Sequence, residues 1–294
     1  MQPPDLCPLF QIDHPPKDAR KGSKFPDAQG SVFTRRRQHP LGKPPVAPLL
    51  SAVAAEAAGT FVLVFGVIGA ATFSASFSKS DVAVNIGFLG VAFALGLSVL
   101  VGAIAWGPVS GGHFNPAVTL GLATAGFFSW RRVPAYIASQ FVGGLLASTA
   151  LVLVAAGTST EFLSDARKSG FASTGWGPLS PSGASWEAAF LIEAVTTAVL
   201  MAVVLAVSTR RTDATLAPLA IGFTLTVAAL VAIPISNGSF NPARSIATAV
   251  YGGPVALEQL WLSLVAPTLG AALVGLVVTA VRHLAPRARR SSYI

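Results

Sequence analysis

Six long apolar runs dominate this sequence and limit what it can fold into. Each run is close to the ~20 residues that a helix needs to cross a bilayer, and charges are rare inside it. The 294-residue chain is 52% hydrophobic and 11% charged, a composition that a water-soluble globular protein does not need. The sequence therefore predicts an all-α membrane protein with six transmembrane helices, near residues 49–72, 83–106, 134–156, 187–208, 216–234 and 259–281.

The fifth run is the weakest of the six. It is short and contains Pro218 and Pro234. Because no charge interrupts its middle, we interpret it as a membrane span like the others.

The net charge of +8 lies outside the apolar runs, so it indicates topology rather than a nucleic-acid surface. Lys and Arg cluster before the first, third and fifth runs and after the sixth, whereas the opposite loops contain only Lys79, Arg167 and Lys168. The positive-inside rule then places both termini in the cytoplasm, as an even number of spans requires. We expect a multi-pass protein of the cell membrane that contacts the lipid bilayer and no nucleic acid.

The chain divides into two tails and a central body. Residues 1–47 are rich in Pro and charge and contain no apolar core of signal-peptide length, so they are predicted to be a disordered basic cytoplasmic tail. Residues 48–284 are the predicted membrane domain, with half-repeats at 48–156 and 186–284, and residues 285–294 are a second cytoplasmic tail. The lone cysteine, Cys7, predicts neither a disulfide framework nor a metal cluster, and no cofactor is expected.

One motif appears twice. The stretch SGGHFNPAVTLG at 110–121 recurs, altered, as SNGSFNPARSIA at 236–247. Each half of the body contains three spans and one Asn-Pro-Ala, and an odd number of spans sends the second half into the membrane from the opposite side. Glu56 and Glu193 begin the first and fourth spans at equivalent places. The sequence therefore predicts an inverted repeat.

The repeated motif is too short to be a span. Residues 115–127 would form a helix of ~20 Å, against a hydrocarbon thickness of ~30 Å. Each copy is therefore predicted to be a re-entrant half-helix, with a non-helical lead-in that lines a wet cavity. Asn as the N-cap and Pro at the first helical position predict helix starts at Asn115 and Asn241. Two such starts near the midplane, each with about +0.5 of a charge, would repel cations.

These residues resemble the aquaporin, or major intrinsic protein, family. The resemblance is carried by SGGHFNPAVT, NPARS, AEAAGTFVLVFG and ASQFVGG, and SGFASTGWG is similar to bacterial water channels. It implies an aquaporin-like fold of six tilted helices plus two half-helices around a narrow pore, in a homotetramer with one pore per subunit. The implied function is a passive channel for water and other small neutral solutes, such as glycerol, urea or hydrogen peroxide, that excludes protons and ions.

The resemblance also assigns roles to residues of the two motifs, where the asparagine amides would donate to passing water. The pore motifs would be Asn115, Pro116, Ala117, Asn241, Pro242 and Ala243. An acceptor track would come from the backbone carbonyls of Gly111, Gly112, His113, Asn237, Gly238 and Ser239. Glu56 and Glu193 would hold the re-entrant loops through backbone bonds, and Gln140 would join helices that pack through small residues.

The narrowest point of the family is made by an arginine and three other side chains. The matching positions here are Leu95, Ala229, Gly238 and Arg244. Typical water-selective members have Phe and His at the first two positions, so this constriction is predicted to be wider and less polar. Ser245 and Ala247 resemble the water-channel branch, whereas Leu264 replaces a tryptophan that is usual there. A glycerol-facilitator-like channel with little water role therefore stays an alternative.

Two other classes of function are weaker alternatives. A secondary transporter also uses inverted repeats and broken helices, but it generally needs a charged group that changes state, and apart from Glu56, Glu193 and Arg244 the span interiors offer none. An enzyme would need a nucleophile with its base, metal-ligand spacing or a phosphate loop. The sequence shows none of these, so no catalytic residue is predicted.

Overall fold

The fold is described by a computed structural model covering residues 48–74, 86–209 and 216–284. The predicted tails at 1–47 and 285–294 lie outside these ranges. Within them the structure is helical and contains no strand. The helices are α1 (Leu49–Gly69, continued by a π turn at Ala70–Ser74), α2 (Gly87–Ser110), α3 (Pro116–Thr124), α4 (Val133–Ala156), α5 (Thr160–Lys168), α6 (Trp186–Thr209), α7 (Leu216–Ser236), α8 (Pro242–Ala249) and α9 (Pro254–Leu284).

Six of these helices are long and apolar enough to cross a membrane, which confirms the predicted spans and the all-α class. They are α1, α2, α4, α6, α7 and α9. The fifth span is a continuous helix, α7. Pro218 lies in its first turn, where a missing N–H removes no helical bond, and Pro234 lies in its last turn, where the bond it removes affects only the end of the helix. Helix α2 runs beyond its apolar run to Ser110 and ends where Gly111 adopts a left-handed φ of 98°.

The two Asn-Pro-Ala motifs begin short helices, as predicted. Helix α3 ends at Thr124, before the predicted end at 127. Gly126 adopts a left-handed φ of 74°, and the amides of Gly126 and Phe127 bond back to the carbonyls of Ala123 and Leu122. This pattern is a Schellman motif, which closes the last turn of a helix with a glycine just beyond it.

The two halves interlock through their short helices. In the first half α1 packs on α2 and α4, and in the second half α6 packs on α7 and α9. Helices α2 and α7 pack on each other across the halves. Each short helix crosses to the other half, because α3 packs mainly on α9 and α8 packs mainly on α4. The ends of α3 and α8 are therefore held between both halves.

Equivalent glycines allow the closest helix approaches in each half. A Cβ at Gly143 of α4 would overlap the carbonyl of Ala57 in α1, and a Cβ at Gly270 of α9 would overlap the carbonyl of Ala194 in α6. Both contacts are to backbone, which cannot rotate away as a side chain can. Small residues at these two crossings therefore set the spacing of the helices.

Gly270→Ala is expected to destabilise the protein, because its methyl group would push α9 away from α6. Overpacking of this kind costs about 1–3 kcal/mol. Gly107→Ala in α2 is the matched control, since nothing lies within 4 Å of the added methyl group. Thermal unfolding in detergent, followed by loss of the monodisperse peak, measures the difference. Equal midpoints for the two variants would contradict this account of the crossing.

Candidate functional site

The starts of α3 and α8 have the same capping geometry. Asn115 Oδ1 accepts from the amide of Ala117 at 2.8 Å, and Asn241 Oδ1 accepts from the amide of Ala243 at 2.9 Å. A proline occupies the first helical position in both cases, where its missing N–H has no helical partner to lose. Capping uses the amide oxygen of each asparagine and leaves its nitrogen pointing elsewhere.

Each asparagine nitrogen reaches the opposite re-entrant loop. Asn115 Nδ2 donates to the carbonyl of Phe240 at 2.7 Å, and Asn241 Nδ2 donates to the carbonyl of Phe114 at 2.8 Å. An amide NH₂ carries two protons, so one N–H of each asparagine remains for another acceptor. These reciprocal bonds bring the two predicted pore motifs together, although they lie in different halves of the sequence.

Glu56 and Glu193 sit behind the two loops and are fully buried. Glu56 accepts from the amides of His113 at 2.9 Å and Phe114 at 2.6 Å. Glu193 accepts from the amides of Ser239 at 2.7 Å and Phe240 at 2.8 Å. Each carboxylate thus accepts from two successive backbone N–H groups of one loop.

The backbone of the two loops is unusual in the same way. Phe114 and Phe240 adopt left-handed φ values of 50° and 53°, which non-glycine residues rarely do. Consecutive amides in such turns form a concave nest that binds an anion. Here the carboxyl group of Glu56 or Glu193 occupies this place and accepts from both amides.

Gln140 donates a hydrogen bond to the side chain of Glu56, a contact that the sequence did not predict. Its Nε2 donates to Glu56 Oε2 at 2.8 Å and to Thr119 Oγ1 at 3.0 Å, so it joins α4 to α1 and α3. The His113 ring bonds Thr119 Oγ1 at 3.1 Å and packs on Phe128. The imidazole of His113 is therefore fixed by Thr119 and Phe128. The backbone amide of His113 donates to Glu56.

Arg244 is buried at the start of α8 and is held by carbonyl groups. Its Nη1 donates to the carbonyl of Ala172 at 2.8 Å, and its Nη2 donates to the carbonyl of Asn237 at 3.3 Å. Among the described residues no carboxylate lies within ion-pair distance of this guanidinium. The bond from Arg244 uses one of the two lone pairs of the Asn237 carbonyl, a member of the predicted acceptor track.

The contribution of the connecting loop, residues 157–185, was not predicted from the sequence. Besides Ala172, its Ser173 carbonyl accepts from Asn237 Nδ2 at 2.9 Å, and its Gly175 amide donates to the Ser236 carbonyl at 3.0 Å. The only sequence signal was the SGFASTGWG similarity to bacterial water channels, which assigns no contact. The loop is thus a third component beside the two re-entrant segments.

The remaining predicted filter residues lie on separate elements. Leu95 is on α2, Ala229 is on α7, and Gly238 is in the second re-entrant segment, where its φ is 62°. A Cβ at Gly238 would lie 3.1 Å from the Phe240 ring, so a larger residue there would be crowded as well as strained. Ala229 has no exposed surface, which means that neighbouring atoms cover its methyl group.

The polar side chains of the two motifs and Arg244 keep a little exposed surface, unlike the carboxylates of Glu56 and Glu193. Asn115 is 5% exposed, and Asn241 and Arg244 are each 3% exposed, whereas Glu56 and Glu193 have no exposed surface. No cluster of three or more His, Cys, Asp or Glu that could hold a metal ion occurs in the described part of the chain.

This chain is similar to proteins of one known family. The family described as Major intrinsic protein matches residues 46–278. A protein named Aquaporin Z, from Photorhabdus laumondii subsp. laumondii, is 47% identical over 222 residues, covering 76% of this chain and 93% of that protein.

Solved structures resemble the fold at lower identity. The X-ray structure of the aquaglyceroporin from Plasmodium falciparum matches with a TM-score of 0.68 and 22% identity, over 81% of this chain and all of that one. A structure titled FNT family ion channel matches with a TM-score of 0.51 and 18% identity, over 81% of this chain and 91% of that one. Since these identities are low, the two structures support the fold alone. The family match and the 47% identical relative together establish that this chain belongs to the major intrinsic protein family.

Proposed function

We propose that the chain forms a passive membrane channel for water and other small neutral solutes, with its pathway through the paired half-helix starts. The observation that carries this proposal is the reciprocal bonding of Asn115 and Asn241 to the opposite loops. This bonding fixes two amide nitrogens close together, each with one N–H to spare. The name of the 47% identical relative, Aquaporin Z, supports the same function.

Water passing between the two asparagines would accept a hydrogen bond from each of them. Its own protons then point away along the file in both directions, which interrupts the chain of bonds that a hopping proton needs. The positive ends of α3 and α8 meet at the same place and oppose cations. Arg244 adds a full positive charge near the start of α8. Proton hopping is therefore interrupted by the orientation of the water and cations are opposed by charge, while neutral molecules pass.

The carbonyl track completes the pathway on either side of the asparagines. The amides of His113 and Ser239 are bound by Glu56 and Glu193, and we propose that the carbonyls before and after them face the passage. A carbonyl is an acceptor only, so it holds a permeating molecule by the molecule's own O–H or N–H. This arrangement suits water, glycerol, urea and hydrogen peroxide, which all carry such groups.

The filter determines which solutes pass. We assign Leu95, Ala229, Gly238 and Arg244 to it, with two small residues opposite the arginine. The pore size and the donors and acceptors that line it decide selectivity in such channels. Passage of solutes larger than water follows from this assignment. The alternative is a glycerol-facilitator-like channel with little water role, which would differ from the proposed channel only in the ratio of its glycerol flux to its water flux.

A secondary transporter is the less favoured alternative. The buried carboxylates Glu56 and Glu193, which a carrier could protonate, are each engaged by two backbone amides and by further side chains, Gln140 on one and Ser236 on the other. Groups held in this way support structure rather than change partners during a cycle. We likewise propose no enzymatic activity for this membrane protein.

We further propose a homotetramer in the cell membrane with both termini in the cytoplasm. A groove of about 460 Å³ between α6 and α7 is lined almost wholly by apolar side chains. The outer face of α2 carries an exposed apolar row that includes Phe93, Leu97 and Val101. We assign this row of a second copy as the occupant of the groove. Native mass measurement in detergent tests the assembly, and a monomeric mass would contradict it.

Stopped-flow light scattering on proteoliposomes tests the channel proposal. Under an osmotic gradient the vesicles should shrink faster than lipid-only vesicles, at a rate linear in the gradient and independent of sodium or proton gradients. Under a glycerol or urea gradient the vesicles should first shrink and then reswell, as the solute enters through the channel and water follows it. A saturating flux, or one that requires an ion gradient, would favour a transporter. Shrinkage no faster than in lipid-only vesicles would refute the channel.

A further inference from the structure

Four buried hydroxyl groups form a connected cluster behind the second re-entrant segment. Thr174 Oγ1 lies 2.8 Å from Ser245 Oγ and 2.6 Å from Ser263 Oγ. Ser245 Oγ in turn lies 2.7 Å from Ser239 Oγ. The cluster thus joins three elements, since Thr174 belongs to the connecting loop, Ser263 to α9, and the other two to the second motif. All four side chains are almost wholly buried.

The first half of the repeat contains a related cluster with one different component. When Asn115 is aligned with Asn241, His113 corresponds to Ser239 and Thr119 corresponds to Ser245. The first pair is bonded at 3.1 Å and the second at 2.7 Å. The first pair is held by Gln140, a residue of a membrane helix. The second pair is held by Thr174, a residue of the connecting loop.

This asymmetry falls on the side of the pore that contains Arg244. The position corresponding to Arg244 in the first motif is Val118, which needs no acceptor. Arg244 does need acceptors, because its guanidinium is buried, and its shortest bond is to the carbonyl of Ala172, two residues before Thr174. The loop therefore takes the place of a helix residue on the side where a buried cation has to be solvated by carbonyl groups.

The loop needs an anchor at this point because its backbone is strained. Phe171 and Ala172 both adopt left-handed φ values, 48° and 53°, that non-glycine residues disfavour. After them, Thr174 is the first residue whose side chain bonds the second half. The amides of Gly175 and Trp176 then bond Ser236 and Gln259. The Ser173 carbonyl is also held, by Asn237 Nδ2, but the Thr174 hydroxyl is the nearest side-chain donor on the loop itself, and its loss would let the strained pair shift and the Ala172 carbonyl move with it.

We propose that Thr174 is a positioning residue for the filter, whose hydroxyl keeps the Ala172 carbonyl against Arg244. This inference rests on the proposed role of Arg244 in the filter. When the carbonyl moves away, Arg244 keeps only its longer bonds, at 3.3 Å to Asn237 and 3.4 Å to Thr248. The guanidinium then leans into the passage. Such narrowing obstructs glycerol more than water because glycerol is the larger molecule.

Thr174→Val tests the proposal, since it keeps the shape of the side chain and removes the hydroxyl. In proteoliposomes the ratio of glycerol to water permeability should fall at least about fivefold, as expected for a narrower pore. Thr174→Ser, which restores the hydroxyl, should return the ratio to the wild-type value. The ratio does not depend on how much protein is folded, so a general loss of stability would not change it.

Thr158→Val is the matched control, because Thr158 lies in the same loop and bonds only the carbonyl of Ala155 at its own helix end. It should keep the wild-type ratio. If Thr174→Val fails to fold, Ser263→Ala, which removes one partner of the Thr174 hydroxyl, should lower the ratio instead.

The possible outcomes separate this inference from the channel proposal. A wild-type ratio in Thr174→Val or in Ser263→Ala would overturn the positioning role while leaving the channel intact. A low ratio in Thr174→Ser would also overturn it, because the hydroxyl would then not be the cause. Wild-type vesicles that conduct no water would instead refute the channel itself.

Discussion

The double variant Leu95→Phe, Ala229→His should conduct water but lose at least about nine-tenths of the glycerol flux, a barrier increase of ~1.4 kcal/mol or more. The reason is size: a phenyl ring and an imidazole would narrow the proposed filter and add a polar edge. Glycerol is wider than water, so a narrower filter obstructs it more. Charge rejection should persist, because Arg244 and the half-helix starts are unchanged. Stopped-flow water and glycerol permeabilities of the same vesicles measure the effect.

Leu273→Phe is the control for this variant, because Leu273 is 60% exposed on α9 and belongs neither to the proposed filter nor to the proposed contact between copies. It should leave both fluxes as in the wild type. Equal glycerol flux in the double variant and the wild type would remove Leu95 and Ala229 from the filter. Wild-type protein that passes water but no glycerol, urea or peroxide would show that the atoms covering Ala229 already close the gap.

Glu193→Gln should destabilise the protein although it only replaces one carboxylate oxygen by an NH₂ group. The carboxylate accepts from the amide of Ser239 through Oε1 and from the amide of Phe240 through Oε2. Glutamine offers one oxygen, so in either orientation its NH₂ faces one of these backbone N–H groups. A buried donor left without an acceptor costs about 1–3 kcal/mol. We expect a lower midpoint of thermal unfolding in detergent and a smaller fraction of protein molecules that form active channels.

Glu258→Gln is the matched control, since it makes the same change at an exposed position, in helix α9. Its unfolding midpoint should equal that of the wild type. If Glu193→Gln unfolds at the wild-type temperature too, the carboxylate does not hold the second re-entrant segment. Water permeability per folded channel would then show whether Glu193 has a role in conduction instead.

The helices and their order could be predicted well because the signals are local. Apolar runs of bilayer length identified the spans, and even α7 with its two prolines formed as expected. The Asn-Pro pairs located the starts of α3 and α8, since capping involves only residues close in sequence. The end of α3 was placed too late, because its Schellman turn at Gly126 stops the helix inside an apolar segment that composition alone would continue.

The pairing of distant polar groups could be predicted only where the repeat indicated it. Glu56 and Glu193 were recognised because they occupy equivalent places in the two halves. Gln140 was assigned to helix packing, and its bond to Glu56 was missed, because nothing in the sequence shows that α4 brings it to α1. Thr174 and Ala172 were missed for a similar reason, since they lie in a loop without a counterpart in the repeat.

The sequence by itself therefore determined the membrane class, the six spans, the inverted repeat and the two helix starts, because periodicity, length and capping are properties of neighbouring residues. The tertiary structure alone decided which buried polar groups contact each other. It placed Asn115 opposite the Phe240 carbonyl and the connecting loop against Arg244. Such contacts depend on how α3 and α8 cross between the halves, and a buried polar group takes whichever partner that crossing supplies.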